Sequence, residues 1–521
     1  MRSVSKRNPP PARETPSSHA SRPAARAEER ARPGPSVFPP AAEVWDPRGP
    51  YLVPLALLLV TRVATWLMLP QASEDAYITF RYARSLASGS GLVYNPGERV
   101  MGFSSPLWTI WNALGYWVCR DPVTWSRATG TLADVATLLV MGGLLRRHAS
   151  RAASRIFTFF FAVWPYFSAV AVSGMENSLL LSLIALSAVL AEKRSPAAGP
   201  VLAALALTRP EGLASAALLS LGARGRERLV GAALATLGLG ALWSYYGTVV
   251  PQSIIAKSHI YGTPGPWAGR HWWEWLSPFV FGRWPRLGDT SQLIVLCLLT
   301  GPAFVLGLAS LWRARTSALA RAAAALLGVW FGYALLGVAY FWWYLVVPLA
   351  GVIATASVGL PRMVQGRALY VAGILFVVSM WTIVPQLYLG RAAEEAASFG
   401  QVADFLGRSA RPGDKVMLEP IGLIGYSAPL RVVDEVGLVS PRVARRRLEG
   451  PGWYADVAAR ERPDWLVLRA GVLRTGVAFA GAGAPFRSLA ERDSLVARYE
   501  RVGQGDERSG DAALLVLKRI R

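Results

Sequence analysis

From residue 51 to about residue 390, apolar runs alternate with short polar turns. Tyr51–Leu69, Ala128–Leu145, Ile156–Val172, Ser178–Leu190, Leu229–Val249, Leu293–Trp312, Ala322–Val338, Trp343–Leu360 and Ala368–Leu389 each read as one bilayer crossing. A shorter pair, Ala197–Leu207 and Leu213–Leu221, is interrupted by Thr208-Arg209-Pro210-Glu211-Gly212. Pro106–Val118 is too short for a comfortable crossing and reads as a re-entrant or interfacial helix. The pattern predicts a polytopic α-helical membrane protein of roughly eleven spans.

Every second turn is basic. Arg146, Arg147, Arg151 and Arg155 form one cluster, Lys193 and Arg194 a second, and Arg224, Arg226 and Arg228 a third. Arg313, Arg315 and Arg321 follow, then Arg362 and Arg367. Basic turns mark the cytoplasmic side, so the N-terminus is expected inside, and the first loop, 71–127, outside. Three regions result: a disordered cytoplasmic tail at 1–48, rich in Pro, Arg, Ala and Ser; a transmembrane region at 49–390; and a region of soluble pattern at 391–521. In the last, a helix-period segment, Ala393–Leu406, precedes strand-like runs at Lys415–Leu418, Arg431–Val433, Trp465–Leu468 and Ala513–Leu517, which predicts a small α/β domain. Parity places it outside the membrane. No internal repeat of the kind many transporters carry is present.

Composition changes this picture little. The 521 residues are 53% hydrophobic and carry a net charge of +22. Only five of the 55 basic residues are lysine. With no nucleic-acid recognition module, the excess arginine is explained by cytoplasmic loops. Cys119 and Cys297, both flanked by apolar residues, make neither a disulfide framework nor a metal site and are expected to be packing residues.

Candidate chemistry gathers at the outward turns. Glu74 and Asp75 follow directly on the first crossing. An acid at the outer end of a membrane helix is partly desolvated, a setting in which a carboxylate becomes a usable base, although a plain helix terminus would also carry such residues. Arg81, Arg84, Tyr94 and Asn95 lie further along the same loop. Glu176 sits where one crossing turns into the next, and Arg209 and Glu211 break the short pair, so all three are ionisable groups near membrane depth. Tyr246 and Gln252 lead to Lys257, the only lysine of the outer membrane loops, with His259 after it. A cation there suits a lipid phosphate. Trp267, Trp272, Trp273 and Trp275 read as an interfacial aromatic belt.

Five stretches in order, EDAYITFRYARSLASGSGLVYNPGERVMGFSSPLW, SGMENSLL, LTRPEGL, YYGTVVPQSIIAK and RVVDEVGLVSP, make the chain resemble a bacterial GT-C membrane glycosyltransferase. The resemblance, over about residues 51–470, is to the group of the mycobacterial terminal arabinofuranosyltransferase. It implies a polyprenyl-phosphate-sugar donor, an extracytoplasmic active site, and a base that falls on Asp75. Relatives of this pattern often carry two aspartates where this chain has Glu74-Asp75, which leaves open which acid acts. They often carry an amide or Thr near Met101-Gly102-Phe103-Ser104, which bears on the acceptor.

The resulting expectation is a cell-membrane, multi-pass enzyme that moves a sugar from a polyprenyl phosphate to a cell-envelope glycan or protein outside the cytoplasmic membrane. Asp75 is its base, with Glu74 assisting or holding a divalent metal, and Lys257, Arg209 and Arg81 hold the phosphate. No other cofactor is implied. The competing readings are a transporter or flippase of lipid-linked sugars and an O-antigen-type polymerase or ligase. A transporter would place ionisable residues at mid-span, whereas this chain places them at the outer ends.

Overall fold

The computed structural model describes residues 51–69, 71–260, 290–336, 341–363, 390–473, 483–504 and 513–520. The expected tail at 1–48, the crossing Ala368–Leu389 and the tryptophans at 267–275 lie outside them.

The first helix, α1 (Leu52–Met68), is followed by α2 (Glu74–Ala87), whose acidic first turn suits the positive end of the helix dipole. Next, α3 (Pro106–Cys119) starts on proline and ends at a left-handed Arg120. Asp121 then caps α4 (Pro122–His148) by accepting from the Val123 and Thr124 N–H groups at 3.0 and 3.1 Å. The next apolar run breaks into α5 (Arg151–Val163) and α6 (Pro165–Ala171), bent by 60°. Then come α7 (Asn177–Glu192), α8 (Ala198–Ala206), α9 (Pro210–Ser220), α10 (Gly225–Tyr246), α11 (Gln252–Ile260), α12 (Thr290–Arg313), α13 (Ala318–Leu335) and α14 (Val346–Gly359).

The α5–α6 bend has a specific cause. Pro165 has no N–H to give the Phe161 carbonyl four residues back. The buried Arg62 of α1 replaces it, donating from Nη2 to Phe161 O at 3.1 Å and from Nη1 to Ala162 O at 2.7 Å. The same guanidinium pairs with Asp134 of α4 at 2.7 Å, with both side chains buried. One arginine therefore satisfies the broken helix and ties α1 to α4.

Among the described helices, Pro122–His148, Gly225–Tyr246 and Trp343–Arg362 are long and apolar enough to cross a membrane, or four spans if the bent pair counts as one. The protein is a multi-pass membrane protein. Helices such as α8, of 9 residues, and α9, of 11, explain why apolar runs outnumber full-length crossings. Leu229, Leu237 and Trp243 of α10 are exposed, as a lipid-facing helix requires. At one end of the bundle, Glu192 at the end of α7 accepts from Arg147 at 2.9 Å and lies 2.7 Å from His148 Nε2, both at the end of α4.

From residue 390 the pattern changes to α15 (Gly390–Ser409), β1 (Lys415–Leu418), α16 (Leu423–Ser427), β2 (Arg431–Asp434), α17 (Pro441–Leu448), α18 (Trp453–Glu461), β3 (Trp465–Arg469), α19 (Leu489–Val496), β4 (Tyr499–Gln504) and β5 (Leu514–Arg519). The sheet order is β2-β1-β3-β5-β4; β2, β1 and β3 are parallel, and the last two joins are antiparallel. Side chains alternate across it, as strand geometry dictates. Val416, Leu418, Val432 and Val467 join the core that continues into the helical bundle. Met417, Val433, Leu466 and Leu468 pack instead on Trp453, Tyr454 and Val457 of α18. Cys119 is an exposed free thiol, not the packing residue expected, because the last turn of α3 lies at the surface.

Candidate active site

The site is built on α2, whose two faces do different things. Residues 75, 78 and 79 share one side at helical spacing, and 74, 77, 81 and 84 share the other. Asp75, Ile78 and Thr79 line a cavity. Glu74, Tyr77, Arg81 and Arg84 meet the turn around α16 in the C-terminal region.

The cavity wall also includes Phe103, Ser104 and Ser105 before α3, Met175 and Glu176 before α7, Arg209 before α9, Ser253 and Lys257 on α11, Trp343 and Tyr344, and Leu438 from the loop after β2. Lys257 Nζ lies 2.9 Å from Asp75 Oδ2 and 4.3 Å from the centre of the Phe341 ring. Arg209 donates from Nη1 to Glu176 and from Nε to Glu211, and Tyr333 donates its hydroxyl to Glu211. Its guanidinium stacks over Tyr344 at 5.0 Å. Two carboxylates and an aromatic ring thus fix a buried guanidinium in the wall. Among the described residues, its Nη2 has no acceptor. The turn carrying Glu176 is placed by Gly174, at φ +86°, a conformation that L side chains rarely adopt. A Cβ there would also press on Ala76 and Phe80 of α2.

The other face of α2 is occupied by the C-terminal region. Glu74 accepts from the Gly422 and Leu423 N–H groups, the latter at 2.9 Å. Burial pushes its carboxyl up to about 8, against the opposing pull of those two donors. Arg81 is buried and donates to the carbonyls of Tyr94 at 2.9 Å, Gly425, and Leu430 at 2.6 Å, and to Asn95 Oδ1 at 3.3 Å. Arg84 lies 4.4 Å over the Tyr426 ring. Tyr94 donates to Ile421 O, and Asn95 takes both polar groups of Val432, accepting its N–H at 3.0 Å and donating to its carbonyl at 2.9 Å.

The structure therefore brings Asp75, Glu176, Arg209 and Lys257 into one cavity, with Glu211 directly behind Arg209. It puts Glu74, Arg81, Arg84, Tyr94 and Asn95 into the joint between the first loop and the sheet. Tyr246 donates to Leu92 O, and the Gln252 side chain donates to Gly437 O at 3.0 Å, so both brace the cavity from outside. His259 is on the exposed side of α11. Sequence reasoning missed Thr79, Ser105, Ser253, Tyr333, Trp343, Tyr344 and Leu438. Thr79 and Ser105 lie inside the stretch that carries the resemblance, so position alone could have nominated them. Trp343 and Tyr344 lay hidden in an apolar run. Among the described residues no group of three His, Cys, Asp or Glu gathers to hold a metal ion, and both Glu74 oxygens are engaged by backbone donors.

Residues 386–513 match a family model described as a domain of unknown function, DUF8728. None of the curated proteins matches the chain in sequence. Among solved structures, the chain is similar to ArnT from Cupriavidus metallidurans bound to undecaprenyl phosphate, with a TM-score of 0.57 and 13% identity over 90% of this chain and 98% of that one. The apo state of the same protein gives 0.53 and 12%, over 90% and 97%. The mycobacterial arabinofuranosyltransferase AftD aligns at 0.41 and 16%, over 80% of this chain and 36% of its own. The chain has the fold of the GT-C membrane glycosyltransferases.

Proposed function

We propose that the protein transfers a sugar from a polyprenyl-phosphate donor to an acceptor glycan or protein on the outer side of the cytoplasmic membrane. The observation that carries this reading is the convergence of one carboxylate, Asp75, and two cations, Lys257 and Arg209, on a single cavity within a GT-C fold. The ArnT structure of the same fold holds undecaprenyl phosphate, which favours a lipid phosphate as the carrier.

In this reading Asp75 takes the proton of an acceptor hydroxyl. The hydroxyl oxygen forms the new bond to the anomeric carbon, and the bond from that carbon to the phosphate oxygen breaks. The electron pair leaves with the polyprenyl phosphate. Phosphate is already a good leaving group, so the site needs charge stabilisation more than a strong acid. Lys257 and the uncommitted Nη2 of Arg209 supply it, with Glu176 and Glu211 keeping the guanidinium in place. Ser104, Ser105 and Thr79 offer hydroxyls to orient the sugar or acceptor. The region from residue 391 is an extracytoplasmic α/β domain that closes the cavity through Leu438, and residues 1–48 are a cytoplasmic tail.

The test is reconstitution of the full chain in liposomes with a panel of radiolabelled polyprenyl-phosphate sugars and envelope glycan acceptors. Label should move to the acceptor while free polyprenyl phosphate accumulates. Label that crosses the bilayer still attached to its lipid would instead identify a transporter.

A further inference from the structure

Glu74 and Asp75 are neighbours in sequence, yet only Asp75 lines the cavity. We propose that Glu74 is a positioning residue: it locks the catalytic helix α2 onto the Gly422–Gly425 turn of the C-terminal region and so fixes where Asp75 points. This rests on the reading of Asp75 as the base.

Three observations carry it. First, Glu74 engages the turn through both carboxylate oxygens, one N–H from Gly422 and one from Leu423. A two-point contact of this kind fixes rotation about the helix axis as well as distance. Second, the rest of that face makes matching contacts. Arg81 reaches the carbonyls of Gly425 and Leu430, and Arg84 and Tyr77 meet the Tyr426 ring, Tyr77 with ring centres 5.5 Å apart. Third, the turn is shaped for this approach. A Cβ on Gly422 would collide with the backbone carbonyl of Glu74, and one on Gly425 would collide with the Tyr94 hydroxyl. Neither glycine carries a side chain, and the first loop occupies the space that one would fill. Asp75 is one residue from the lock, so a rotation of α2 that releases Glu74 swings Asp75 out of line with Lys257.

The test is a set of full-length variants assayed in liposomes. Glu74→Ala and Gly422→Ala should each lower kcat on the order of a hundredfold, the cost of misplacing a reacting group by about an ångström. The apparent donor KM and the binding of undecaprenyl phosphate should stay as in the wild type, because Lys257 and Arg209 are untouched. The Glu74→Ala plus Gly422→Ala double variant should be no worse than the poorer single one, since both break the same lock. Hydrogen exchange over residues 74–87 should speed up in both single variants, a readout that needs no turnover. The proposal is overturned if Gly422→Ala keeps wild-type kcat and exchange, or if the two substitutions act additively. Loss of activity in Glu74→Ala with a normal Gly422→Ala would make Glu74 itself the reacting acid, which also overturns it. If the wild type transfers no sugar at all, the function proposed above fails, and the exchange measurement still decides on the lock.

Discussion

The ammonium of Lys257 sits 2.9 Å from the carboxylate of Asp75, joining residues 182 positions apart at the wall of one cavity. Until a donor arrives, the proposed base and the proposed phosphate-binding cation neutralise each other. In the proposed mechanism a donor phosphate competes with Asp75 for the same ammonium. On that reading, binding of the leaving group and release of the base are one event.

Asp75→Asn removes the proposed base and keeps a side chain that fits α2. Transfer should fall by about a hundredfold or more, with membrane insertion and thermal stability near wild type. Turnover at the wild-type rate would eliminate Asp75 as the base.

Lys257→Gln removes one of the two cavity cations. The apparent KM for the donor should rise, and the salt dependence of KM should weaken. If neither moves, Lys257 only rests its stem at the membrane surface.

The buried Arg62–Asp134 pair predicts a stability pattern without reference to catalysis. Arg62→Leu strands Asp134 as well as the Phe161 carbonyl, whereas the Ala162 carbonyl keeps the Thr61 hydroxyl at 2.8 Å. Asp134→Leu strands the guanidinium. Each single change should cost about 3–5 kcal/mol, seen as a lower Tm in detergent. The double change should recover part of the loss, because no unpaired charge remains. The Phe161 carbonyl at the Pro165 break, left without its donor, keeps it below wild type.

Glu435 lies at the carboxyl end of β2, where burial, helped by the nearby Glu419, pushes its carboxyl up to about 8 despite Arg447 and Arg469. A folded-state value above the unfolded one means that the folded protein holds the extra proton between about pH 4.5 and 8. Its contribution to stability is full at the acid end of that window and is lost as pH rises through it. Glu435→Gln should flatten that slope and raise Tm at pH 8 relative to wild type. An unchanged difference in Tm between pH 5 and pH 8 would contradict the assignment.

Topology is tested by reporter fusions after Leu145 and after Arg521. Opposite locations are expected, because the basic clusters place the first fusion inside and the second outside. The same location for both would break the proposed orientation.

Much of the helical frame was legible because apolar runs and arginine-ended turns are both long-range signals. Crossing numbers were less so, since α8 and α9 are apolar without being long. Strand β4, YERVGQ, escaped notice for a different reason. It is a charged edge strand with a register shift between Arg501 and Gly503, so it lacks clean alternation. At the site, the acidic pair stood out, but two adjacent helical residues point about 100° apart, and no local pattern says which one meets a cavity. That depends on where residues 421–430 dock, more than 340 positions away. Arg81 illustrates the same limit: a buried arginine spent on carbonyls and one spent on a phosphate look alike in sequence.

Strand β2 is an outer strand of the sheet, and the Asn95 side chain fills the ladder positions of Val432 there. A strand edge of this kind ordinarily recruits other chains. Here an amide from the first loop takes those positions, so the docking of the loop that carries Asp75 is expected also to guard the protein against self-association. A fragment cut at Gly390 would lose that amide and should aggregate through β2. Asn95→Ala in the full chain should leave Arg81 and Glu74 holding the loop, yet raise the aggregated fraction on warming.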